Sequence, residues 1–191
     1  MTRSRPATRL GVQDWLDAGL RLLVEEGVDA LKVARLSSVL GVTKGSFYWH
    51  FADIAAMKSA LAQQCAGAHE AFVARLDGLT TLPPGDRLDA MRTMLADPHR
   101  WRVESALRRW ADVDPILAGS VALLDQRILD VSADALRDIG FSAADAQARA
   151  SVLLYTGIGC LQAHDRVGAG AIDECIQLVI DLVTRLEVDP I

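Results

Sequence analysis

An all-α fold of about nine helices is predicted by three features of this 191-residue chain. Apolar residues recur at spacings of three and four almost throughout, and no segment alternates convincingly at period two. Helix-opening signals recur as well: an acid before proline at Asp97-Pro98 and Asp114-Pro115, and Ser142 followed three residues later by Asp145. The composition is 51% apolar but only 5% aromatic, which suits Ala/Leu-rich packed helices and excludes a disordered chain.

The first helix spans about Val12 to Glu26 and turns Leu16, Leu20, Leu23 and Val24 inward, with Gly27 placed to stop it. A short second helix, about Val33 to Leu40, offers Leu36, Val39 and Leu40 as its apolar residues. Gly41 and Val42 make a turn, and Thr43 is placed to cap a third helix reaching about His50. Asp53 then caps a long fourth helix with an apolar stripe of Ile54, Met57, Leu61, Cys65, Ala68, Phe72 and Leu76. The segment Leu79 to Asp86, with its double proline, reads as a loop. Helices follow from Asp97-Pro98 to about Ala111, from Asp114-Pro115 to Gly140, and from Ser142 to about Arg166. A Gly168-Ala169-Gly170 turn leads into a last helix from about Ala171 to Glu187.

The net charge of −5 is unevenly spread. Residues 1–58 hold eight Lys/Arg against six Asp/Glu, whereas residues 59–191 hold twelve against nineteen. A small basic end on an acidic body is the distribution of a chain that meets nucleic acid at one end. The longest stretch of low polarity, Ala150 to Leu161, is too short to span a bilayer, and MTRSRPATRL has no apolar run of the secretory kind. A cytoplasmic protein with no membrane partner is expected. Its three cysteines, Cys65, Cys160 and Cys175, read as reduced thiols.

The segment richest in chemistry is the second and third helices, joined by only a few residues including Gly41, which is helix-turn-helix spacing. In such a pair the first helix fixes the angle of the second, whose N-terminal side chains enter the major groove. Phe47 and Phe51, four apart, anchor the second helix and leave Thr43, Lys44, Ser46, Tyr48 and His50 available.

The stretch from Trp15 through Ala60, with GVTKGSFYWHF at residues 41–51 and a new helix near Asp53, resembles the N-terminal domain of TetR-family repressors. The resemblance implies a helix-turn-helix DNA-binding domain at residues 1–55 and a helical ligand-binding and dimerisation domain at 56–191. It implies a repressor released from operator DNA by a small-molecule effector. By the same resemblance Thr43, Lys44, Gly45 and Ser46 sit at the mouth of the major groove, with Lys44 donating to a guanine edge. Tyr48 and His50 match positions that hold phosphates, Arg35 a phosphate or base contact, and Trp49 either DNA or the packing of helix three on helix four. Two positions depart from the family pattern: Val33 stands where a hydroxyl residue is usual, and Ile54 where a lysine is. The arm carrying Arg3, Arg5 and Arg9 either reaches a flanking groove or is a solvated terminus.

In this family the last two long helices usually form the dimer interface, here about 142–166 and 171–187. The local residues agree: Ala143, Ala144, Ala146, Ala148, Ala150, Gly157 and Gly159 permit close approach, and Ile172, Ile176, Val179, Ile180, Val183 and Leu186 supply an apolar seam. Phe72, Met91, Met94, Trp101, Trp110 and Leu117 are pocket candidates, although such residues also suit an ordinary core. Arg100, Arg102, Arg108 and Arg109 cluster near the two tryptophans. An acidic ligand would explain them; salt bridges to the acidic body are the preferred account.

Two other readings remain. Cys65/His69 and Cys160/His164 are each four apart and could together hold Zn²⁺ in a metal-binding enzyme, if the fold brought the pairs together. Alternatively, the chain is a degenerate family member acting as a protein-interaction module. No nucleophile motif, phosphate-cradling loop or paired-carboxylate signature appears, so neither an enzyme nor a cofactor is expected.

Overall fold

The computed structural model describes residues 10–164 and 166–185. The arginine arm at residues 1–9, and the expected end of the last helix beyond residue 185, lie outside the described residues. Nine α-helices and no strand occur among the described residues, in agreement with the all-α expectation. They are α1 (Val12–Glu26), α2 (Val33–Leu40), α3 (Lys44–Tyr48), α4 (Ile54–Asp77), α5 (Pro84–Leu95), α6 (Pro98–Ala111), α7 (Pro115–Ile139), α8 (Ala143–Ala163) and α9 (Ala169–Val183). None is long and apolar enough to cross a membrane. The chain divides into two compact units between Gln64 and Cys65, inside α4.

Sequence chemistry accounts for most of the helix starts. Asp53 Oδ1 accepts the Ala56 N–H at 2.8 Å, Asp97 accepts from His99, and Asp114 accepts from both Ile116 and Leu117. Each satisfies donors that a helix N-terminus leaves unpaired, and in α6 and α7 proline takes the first position, where no N–H is needed. Ser142 accepts the Asp145 N–H at 3.2 Å and gives its own proton to the Asp145 carboxylate at 2.6 Å.

Four expectations need correction. Proline at N1 turns the second half of the supposed 79–86 loop into the start of α5, and only a 3₁₀ turn at Gly78–Thr81 precedes it. Gly168, in extended conformation, is the N-cap of α9, so Gly170 lies inside that helix and not in the turn. Thr43 does occupy the N-cap of α3, but its side chain makes no capping bond. In α4 the stripe slips by one residue: Ala68 is exposed while His69 is buried. A polar partner at that level, described below, satisfies the histidine.

The first unit centres on Trp15, Leu22, Leu23, Leu31, Leu36, Phe47, Met57 and Leu61, each almost fully buried. In the second, α7 packs against α5, α6 and α8, and α8 against α9. Its core includes Leu76, Leu88, Val131, Leu136, Ala146 and Ala150.

Candidate nucleic-acid interface and body cavity

Three residues, Gly41 to Thr43, separate α2 from α3. Gly41 ends α2 in the left-handed region (φ 67°, ψ 31°), which costs a glycine little, and the Val42 N–H closes the turn onto the Ser37 carbonyl at 3.0 Å. That turn sets the direction of α3. Phe47 then pins it: the ring is fully buried, meets Trp15 edge-on at 5.3 Å between centroids and lies 5.5 Å from Phe51, itself 8% exposed.

With Phe47 turned inward, the rest of α3 faces outward. Thr43, Lys44 and Gly45 are exposed and Ser46 is half-buried. A side chain at Gly45 would meet only Thr43 Oγ1, at 3.6 Å, so nothing within the chain requires glycine there. Tyr48 is 59% exposed and Trp49 87%, which removes the reading of Trp49 as a packing residue between helices three and four. His50 is half-buried, 6.4 Å from Trp15 between ring centroids. Arg35 projects from α2, and its Nε donates to Glu26 at 3.1 Å. Hydrogen bonding to Arg35 holds the Glu26 carboxyl below its ordinary range. Val39, expected among the apolar residues of α2, is exposed.

The second unit contains an apolar cavity between α5, α6, α7, α8 and α9. Met91 and Trp101 line it. The other pocket candidates do not: Phe72, Trp110 and Leu117 are buried elsewhere, and Met94 packs against the core. Sequence reasoning misses the wall formed by Leu153, Gly157, Ile158 and Ile176, because the small and branched residues of α8 and α9 read equally well as a seam between subunits. It also misses the polar corner. His69 Nε2–H donates to Glu104 at 2.9 Å, and its Nδ1 lies 3.1 Å from Ser120 Oγ. Arg108 Nε lies 3.0 Å from the other Glu104 oxygen, and its NH1 donates to Asp125 at 2.9 Å. An acid between apolar neighbours on α6, and a histidine beside an apolar stripe on α4, were the signals available.

The zinc reading is overturned by this arrangement. His69 is engaged by Glu104 and Ser120, and burial pushes the Cys65 thiol up to about 11. No group of three or more metal-binding side chains is gathered among the described residues.

A short-turn helix pair presenting a polar, partly basic face, joined to a helical body with an apolar cavity, defines a helix-turn-helix regulator. Comparison with known proteins agrees. Residues 16–61 match the family described as bacterial regulatory proteins, tetR family. The class A tetracycline repressor protein of transposon 1721, from Escherichia coli, is 31% identical over 156 residues, covering 81% of this chain and 67% of that protein. The HTH-type transcriptional regulator AcrR of Shigella flexneri is 33% identical over 84 residues, 44% of this chain and only 37% of that protein's length. Among solved structures, the TetR-family regulator SCO4454 of Streptomyces coelicolor superposes with a TM-score of 0.70 at 19% identity, covering 93% of this chain and 90% of that one. A transcriptional regulator from Saccharomonospora viridis, solved with choline, gives 0.67 at 18% identity over 89% of this chain and 95% of that one. The chain belongs to the TetR family of transcriptional regulators.

Proposed function

We propose that this protein is a homodimeric repressor that reads operator DNA through α3 and leaves it when a small molecule fills the cavity of the body. The observation that carries the reading is the outward face of α3, where Thr43, Lys44 and Gly45 stand exposed around a single buried anchor, Phe47. In this reading residues 1–55 bind duplex DNA and residues 56–191 sense and dimerise. Lys44 donates to base edges at the groove mouth beside Thr43 and Ser46; Gly45 lets the helix approach closely; Tyr48 and His50 hold phosphates, and Trp49 meets the DNA beside them. Arg35 must exchange Glu26 for a phosphate, so its contribution is smaller.

A gel-shift against DNA upstream of the protein's own gene tests this. Lys44→Ala should weaken specific binding by about ten- to a hundred-fold, the value of a base contact worth ~1–3 kcal/mol. Helix content should not change, because Lys44 is exposed. Binding at the wild-type level would remove Lys44 from the interface.

The proposed dimer surface is narrower than the residues named from sequence. Ala146, Ala150, Ile172, Ile180 and Val183 are buried within the chain itself. Val152 and Tyr155 on α8, and Leu178 and Leu182 on α9, are apolar yet about half exposed or more. Their spacings of three and four place each pair on one helix face. An isologous four-helix contact would cover both. Tyr155→Glu should therefore shift the sedimenting species from dimer to monomer at micromolar concentration, with unchanged helicity. A monomeric wild type would refute the interface outright.

A further inference from the structure

Three arginines line the body cavity, and two are already committed. Arg92 is held by Asp173 at 2.6 Å and by Asp89 at 3.4 Å. Arg108 is held by Asp125 and Glu104. Arg100 differs: among the described residues it makes no ion pair and no hydrogen bond. Its guanidinium lies over the Phe72 ring, 3.5 Å from the centroid, with the exposed Arg75 on the same ring at 5.6 Å. Half-burial and the nearby Arg75 both work against its charge, and Glu104 and Asp97 support it only from beyond ion-pair distance. A guanidinium stacked on an aromatic face keeps its N–H edge free for a planar acceptor.

The carboxylates of the cavity are in the opposite condition. Glu104 accepts a hydrogen bond from His69 on one oxygen and is ion-paired with Arg108 at 3.0 Å on the other, and Asp173 is paired with Arg92. A cationic ligand would have to displace one of these partners and would also meet the free charge of Arg100. The rest of the wall, including Leu88, Met91, Leu124, Leu153 and Ile176, is mostly apolar. The cavity has a volume of about 120 Å³. That is a little below the roughly 150 Å³ cavity that admits benzene, so about six heavy atoms fit the enclosed part and the end of a longer chain lies at its open side.

We propose that the cavity takes an apolar monocarboxylate, its acid group on the Arg100 guanidinium and its hydrocarbon body against the apolar wall. This rests on the reading of the body as a sensor domain and names the chemical class that it senses. The acid supplies Arg100 with the bidentate acceptor it lacks, in a site dry enough to make a charge-assisted pair strong. An alcohol of equal chain length supplies one neutral acceptor, and an amine repels.

The test is calorimetric titration of the full chain at neutral pH with octanoate, octan-1-ol and octylamine. Octanoate should bind at least about tenfold more tightly than either of the others, the range of hydrogen bonds to charged groups. Arg100→Gln should reduce octanoate to the level of octanol, and Arg100→Lys should retain part of the advantage. Equal binding of octanoate and octanol to the wild type overturns the proposal, as does undiminished octanoate binding to a folded Arg100→Gln or no octanoate binding at all. If Arg100→Gln loses its helix content, the wild-type ranking of the three ligands decides alone. A gel-shift in octanoate separates this proposal from the broader one. Tight binding through Arg100 without release of DNA would leave the site standing and reject the effector role. Operator binding without octanoate binding would do the reverse.

Discussion

Phe47→Ala should cost the N-terminal unit about 3–5 kcal/mol, the range for emptying a fully buried phenyl site. Against a typical domain stability of about 5–15 kcal/mol that is a large fraction, readable as a lower midpoint in urea unfolding. The consequence for function is larger than the number suggests. α3 has five residues, too few to persist as a helix without tertiary support, and Phe47 is its only buried residue. Removing the ring should release Thr43 to Trp49 together, so base and phosphate contacts would vanish at once. Trp49→Ala provides the contrast. At 87% exposure it should change stability by no more than about 0.5 kcal/mol, and any loss of DNA affinity would then report a direct contact. A Phe47→Ala protein with unaltered unfolding and DNA affinity would mean that α3 is held by something other than its anchor.

How much of this was legible beforehand depends on what each feature requires. The bounds of α1 and α2, and the Phe47/Phe51 anchor, rest on local periodicity and a glycine stop, and both are written in consecutive residues. The cavity is not local. It gathers side chains from five helices, so a Met or Trp on one of them carries no mark of facing the hole or the core. Met91 and Trp101 line it while Phe72 and Trp110 do not, although all four are apolar residues of similar context. The arginine cluster shows the same limit. The preference for salt bridges is right for Arg108, Arg109 bonds Ser105 Oγ, and Arg100 is left over. Which arginine finds an acid depends on where α7 places Asp125 and where α9 places Asp173. His69 is the clearest case: the stripe on α4 points to position 68, and only the carboxylate on α6 and the hydroxyl on α7 make burial of position 69 affordable.

That buried cluster supplies the second large effect. Burial works to raise the Glu104 carboxyl, but the hydrogen bond from His69 and the charges of His69, Arg108 and Arg100 outweigh it and hold it below its ordinary range. Because the folded carboxyl titrates below the unfolded one, near pH ~4.3, its stabilisation is complete above that pH. It is lost as the pH falls through the lower, folded value. Glu104→Ala at neutral pH should cost about 3–5 kcal/mol, since it leaves His69 and Arg108 buried beside a hole with one partner gone. Glu104→Gln keeps the shape and loses the charge, so its deficit should be present at neutral pH and shrink toward zero on acidification. Urea unfolding of wild type and Glu104→Gln across that range would read the convergence directly. Curves that stay parallel down to acid pH would mean that the carboxylate is not the charged centre of this cluster. The same variant should loosen the position of Arg108 on the cavity wall while leaving Arg100 on Phe72. Octanoate affinity in Glu104→Gln should therefore hold or rise, because one negative charge has been removed from beside the acid.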